Sequence, residues 1–184
     1  MPVFLAYLGI IPGIAVFLVR FETDFVEWYD KFYNAMREGG SLGEIARMRD
    51  EMVFAIRQGL FDIIKIQTLA VLVLVVFAPT LFDKLSISAL YLPLFYVDAV
   101  AASLQVALLA VMNVFFYLDK RREVLATVAL LSILNVLLSI VSLRLGVVFY
   151  GYGFALAMLV TLVFSLAVLE RKLGRLEYET FMLQ

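Results

Sequence analysis

Long runs without a charged side chain constrain this chain most. Val124–Leu143 runs for 20 residues and Leu145–Leu169 for 25 with no charge, and Leu85–Leu118 carries only Asp98 in 34 residues. A helix rising about 1.5 Å per residue crosses the ~30 Å hydrocarbon core of a bilayer in about 20 residues. Val3–Val19 and Ile66–Phe82, 17 residues each, complete the set. Hydrophobic residues make up 64% of the chain and charged ones 17%, against about 45–50% and 25% in soluble domains. The pattern predicts an all-α, polytopic membrane helix bundle with transmembrane helices near 3–19, 61–82, 90–118, 124–143 and 147–169. Pro12-Gly13 predicts a short or kinked first span, and Pro79 and Pro93 predict helix ends or kinks around the short loop between the second and third.

The exception to this apolarity is Arg20 to Gly59, which holds 14 of the 31 charged residues. It must lie outside hydrocarbon. Its pattern predicts a helical hairpin: Phe21, Phe25, Trp28, Tyr29, Phe32 and Met36 recur at three- and four-residue steps, and Gly39-Gly40-Ser41 breaks the helix. Ser41 stands three residues before Glu44, the spacing of a capping box. The second helix, from about 42, is expected to run on into the second span. Phe25, Trp28, Tyr29 and Phe32 read as anchors of an amphipathic helix in the membrane interface; the sharper alternative is a sugar-stacking platform of Trp28, Tyr29 and Phe32.

Lysine and arginine set the expected orientation. Residues 20–65 hold seven, the 119–122 loop three and the 170–184 tail three, against Lys84 and Arg144 on the other side. The hairpin, that loop and the C-terminus are therefore expected in the cytoplasm and the N-terminus outside. No basic residue precedes the first apolar run, so it does not read as a cleavable signal. An N-out chain whose first span begins two residues in reads as the later part of a longer protein.

Polar groups inside spans are costly and mark a pathway by default. Asp98, Gln105 and Asn113 follow at steps of seven and eight, which places them on one helical face. With Gln67 on the second span they are the candidate substrate path, since a glycan needs both donors and acceptors. Asp98 is also the candidate for binding a coupling cation, a proton or sodium ion. The plainer readings are an interfacial carboxylate for Asp98 and inter-helix hydrogen bonds for Gln105 and Asn113. Asp62 and Lys65, three residues apart, read as an ion pair or as the inner rim of a cavity. The chain has no histidine and no cysteine, which removes the usual general base, thiol nucleophiles and disulfides, and its net charge of −1 gives no basic stripe for nucleic acid. No catalytic constellation, metal site or cofactor site is found, and an enzyme is not expected.

FLVRFETDFVEWYDKFYNAMREGGSLGEI (17–45), SALYLPLFYVDAVAASLQVALLAVMNVFFYLDKRR (88–122), FYGYGFALAM (149–158) and LERKLGRLEYETFMLQ (169–184) resemble the C-terminal part of the PelG family, membrane subunits of Pel exopolysaccharide systems. The resemblance covers essentially the whole chain. It implies a place in the multidrug/oligosaccharidyl-lipid/polysaccharide flippase superfamily, whose members have roughly twelve spans, and it matches the last five of these. It further implies export of an amino-sugar polysaccharide across the bacterial inner membrane for the biofilm matrix. The partners it implies are a cytoplasmic glycosyltransferase and small membrane subunits of the same system. The rival expectation is a non-transporting scaffold whose hairpin recruits a cytoplasmic glycosyltransferase.

Overall fold

Backbone N–H and C=O groups in hydrocarbon find no water, so an apolar run of membrane length must pair them within itself. The computed structural model, which describes residues 2–174, follows this rule: the chain is helical and no strand occurs among the described residues. Five helical stretches are long and apolar enough to cross a membrane, as the charge-free runs require: Pro2–Arg37, Leu42–Lys84, Ala89–Tyr117, Arg121–Leu145 and Val147–Leu173.

The first stretch is interrupted, but not at Pro12-Gly13. Helix α1 (Pro2–Leu8) ends and α2 (Ile11–Arg20) begins around Gly9-Ile10. Proline lacks the N–H that would bond one turn back, so the break falls just before it and Pro12 sits in the first turn of α2. An added Cβ at Gly9 would clash with the Leu74 side chain of the helix that follows the hairpin, so another helix also packs closely at the break. Helix α2 then passes through a π-helical turn, Phe21–Phe25, into α3 (Val26–Arg37) without leaving helical geometry.

The hairpin turn closes by local chemistry. Gly39 is left-handed (φ 72°), which glycine adopts without strain, and the Gly40 N–H donates to Ala35 O at 2.9 Å. Ser41 Oγ accepts from the Glu44 N–H at 3.3 Å and starts α4 (Leu42–Lys84). This helix is unbroken for 43 residues, with Pro79 inside it rather than ending it. At about 1.5 Å per residue it is ~64 Å long, roughly twice a bilayer core, so hairpin and span share one rod. Pro93 does mark a helix start, within the first two positions of α5 (Leu92–Tyr117).

Helix α5 lies at the centre, packed by α1, α4 and α7, with α6 (Arg121–Leu145) resting chiefly on α7 (Tyr152–Leu173). Small residues let α6 and α7 approach: a Cβ on Gly153 would sit 2.4 Å from Leu138 O, and the buried hydroxyls of Thr127 and Ser165 are 3.1 Å apart. Helix α3 folds back on α4, and Phe25, Phe32, Met52 and Ile56 are buried in the same cluster as Val114 of α5 and Leu169 of α7. Tyr117 meets the rings of Phe25 and Tyr29 edge-on at 5.2 and 5.7 Å. Ion pairs Arg57–Glu170 and Lys172–Glu123 (2.9 Å) join the hairpin and the start of α6 to the end of α7. The hairpin, the α5–α6 turn and the end of α7 therefore form one end of the molecule, called here the hairpin end. The rest of the tail, with Arg175, and the side chains of Phe21 and Glu22 lie outside the described residues.

Candidate functional site

The π-helical turn lodges one extra residue per turn, which re-aims the side chains on either side of it. Thr23 Oγ donates to Val19 O there, and Arg20 Nη1 pairs with Asp24 Oδ2 at 3.1 Å. Beside it, between this turn and α4, lies a cavity of about 180 Å³ lined chiefly by Arg20, Asp24, Trp28, Glu51, Gln58 and Asp62. At about 30 Å³ per water it has room for about six waters, or for one small ring. Asp62 Oδ1 accepts from Lys65 Nζ at 3.0 Å and Gln58 Nε2 at 3.2 Å, and Arg20 Nε stands 4.0 Å from Oδ2. Asp62 and Lys65 thus form the expected ion pair, and Asp62 also lines a cavity. The lining offers two aromatic side chains, Trp28 and Phe54, an amide, one guanidinium and three carboxyl groups, a set able to donate to and accept from hydroxyls and to attract a cation.

The hairpin aromatics divide between two environments. Phe25 and Phe32 are buried in the core, Tyr29 is half-buried against Tyr117, and Trp28 lines the cavity with Lys31 Nζ 4.3 Å from its ring centre. Of the four interface anchors named from sequence, two face inward, because α3 has a protein surface to cover on α4. Trp28, Tyr29 and Phe32 do not form a single platform; Trp28 alone reaches the cavity.

The α5 face carrying Asp98, Gln105 and Asn113 is real, spanning about 80° at 100° per residue. Its far end is closed. Asp98 is only 8% exposed, and a Cβ on Gly151, the left-handed residue (φ 87°) that starts α7, would lie 3.3 Å from Asp98 Oδ1. The carboxyl group therefore sits at the N-terminus of α7, where the first N–H groups lack intrahelical partners. Its Oδ2 has no hydrogen-bond partner. Along the same face Gln105 is exposed and Asn113 half-buried. Gln67 is elsewhere: it lines a slot bounded by Val100, Ser103, Leu104 and Ala107, about half a turn around α5 from Gln105. The four path candidates are not brought to one place within this chain.

Sequence reasoning did not single out Arg20, Asp24, Glu51 or Gln58 as cavity residues. The i, i+4 pairs Arg20–Asp24 and Gln58–Asp62 were the available signal, but nothing in sequence announces the π turn that sets them side by side. Among the described residues no group of three or more metal-ligating side chains is gathered.

Neither curated proteins nor solved structures give a match to the chain. A family model does: that of PelG, the exopolysaccharide exporter (EPS-E) family, over residues 1–181. That match covers nearly the whole sequence, including the hairpin with its cavity and all five membrane-capable helices. The chain belongs to the PelG family of exopolysaccharide exporters.

Proposed function

We propose that these helices form part of an exporter that carries a polysaccharide of amino sugars across the bacterial inner membrane to the biofilm matrix, with the hairpin end in the cytoplasm. The observation that carries this reading is the family match over residues 1–181; the excess of lysine and arginine at the hairpin end supports the orientation. The cavity at the π turn is the place where the chain meets a sugar unit. Trp28 supplies a face for a ring, Gln58 and Arg20 donate, and Asp24, Glu51 and Asp62 accept from hydroxyls or hold an ammonium group. The open part of the α5 face, with Gln105 and Asn113, continues the path, and Asp98 closes its outer end.

The scaffold reading has one observation in its favour, a hairpin that extends α4 about 28 Å beyond the span expected at 61–82 and exposes Leu42 and Phe54 to a partner such as a glycosyltransferase. Both readings meet in one experiment. A strain lacking the gene is complemented with the full-length protein carrying Trp28→Ala and Asp62→Asn, and secreted polymer is measured at matched protein level. Export through this site predicts loss of most secretion with the glycosyltransferase still recovered on pull-down. Normal secretion removes the cavity from the path, and loss of the enzyme together with secretion favours the scaffold.

A further inference from the structure

The cavity at the π turn does not end at its own walls. Glu51 and Phe54, two of its lining residues, also line an open trough of about 640 Å³ on α4, together with Gly43, Ala46, Arg47 and Asp50. These residues follow one another at steps of three and one, so they form one helical face. It is turned away from the face on which Ile45, Met52 and Ile56 are buried. The centre of the trough lies about eight residues, or ~12 Å, nearer the hairpin tip than the centre of the cavity.

Position and chemistry narrow what the trough can hold. Phe54 and Gly43 stand 7 and 18 residues before the span expected at 61–82, about 10 and 27 Å along the rod, so hydrocarbon tails do not reach it. Arg47 is a donor, and Asp50 and Glu51 are acceptors. Arg49 Nε and Nη2 donate to Asp50 Oδ1 at 3.0 and 2.7 Å, which fixes that carboxylate and leaves Oδ2 for a hydroxyl. Phe54, 64% exposed, offers a ring face, and Gly43 and Ala46 keep the floor low. Sugar hydroxyls both donate and accept, which this set answers. Two carboxylates to one guanidinium disfavour nucleic acid and other polyanions.

We propose that trough and cavity form one continuous track for several consecutive sugar units, so that the protein receives a polymer from the cytoplasm rather than one sugar at a time. This rests on the reading of the cavity as the sugar site and gives that site a multi-unit substrate. One unit is enclosed beside Trp28, and the units behind it lie along Phe54, Asp50 and Arg47 toward the hairpin tip.

The test is calorimetric binding to the full-length protein in nanodiscs, with the monosaccharide and short oligosaccharides released from the secreted polymer as ligands. The oligosaccharides should bind about tenfold tighter than the monosaccharide, the worth of one or two further hydrogen bonds. Arg47→Ala with Asp50→Ala should erase that gain; both residues are exposed, so the helix tolerates their truncation. Trp28→Ala should weaken every ligand. No gain with length, or a gain that survives Arg47→Ala with Asp50→Ala, would overturn the track while leaving the cavity in place. Monosaccharide binding indifferent to Trp28→Ala would overturn the reading of the cavity and the track with it. A missing length gain, with a glycosyltransferase lost on pull-down from the Arg47→Ala, Asp50→Ala protein, would assign the trough to that enzyme instead.

Discussion

At the scale of single residues, Asp98 and Gln67 are two of the buried polar side chains of the spans, and each lies beside the first turn of a helix, Asp98 at the start of α7 and Gln67 at Gly13 of α2. A polar group in hydrocarbon is defined by what faces it rather than by its identity. Asp98→Asn keeps the shape and removes a charge that burial opposes and that a helix N-terminus offsets by only about 1 kcal/mol. We expect it to leave the unfolding midpoint of the detergent-purified protein unchanged or to raise it. A lowered midpoint would mean that the start of α7 holds the group as a carboxylate. That Asp98, Gln105 and Asn113 share a face was legible, because 100° per residue is a property of the helix alone. Which neighbour covers each of them was not, because lipid and protein are equally apolar partners for the residues in between. The cap at Ser41 and Glu44 was legible for the same local reason: donor and acceptor are three residues apart in the same chain.

At the scale of elements, helices in a membrane associate by shape, with little hydrophobic drive between them. The contact between α6 and α7 shows this at Gly153, where the obstacle is the backbone carbonyl of Leu138 rather than the end of a flexible side chain. Gly153→Ala should therefore push the helices apart and destabilise the protein by about 1–3 kcal/mol, the usual cost of overpacking, read from denaturant titration in detergent. A neutral result would mean that α6 can retreat without losing the Thr127–Ser165 contact. The five membrane-capable helices were readable from charge-free length, yet two of their irregularities were not placed. The break before Pro12 was expected at the proline and fell at Gly9-Ile10, one turn earlier, because proline removes a bond to the preceding turn. The π turn at 21–25 had no sequence signature at all, and it lies beside the cavity that Trp28 lines.

At the scale of the whole molecule, the hairpin end is tied together by buried aromatics and by ion pairs of unequal worth. Arg57 and Glu170 are both largely exposed, and pairs of that kind contribute about 0–1 kcal/mol, so Phe25, Phe32 and Tyr117 carry the junction. The absence of cysteine makes sidedness directly measurable. Single cysteines at Ser41 and Arg122 should react with an impermeant thiol reagent only when the cytoplasmic face is opened, and those at Ser86 and Arg144 should react in intact cells. Labelling of Ser41→Cys from outside would invert the proposed orientation, and labelling of Ser41→Cys and Arg122→Cys from opposite faces would contradict the shared end. The unbroken course of α4 has a mechanical consequence. A rod of 43 residues whose single proline, Pro79, lies five residues from its end has no such weak point over its first 37 residues, so torque from an enzyme gripping the hairpin tip at Leu42 would travel as movement of the same lever across most of the bilayer, as far as Pro79.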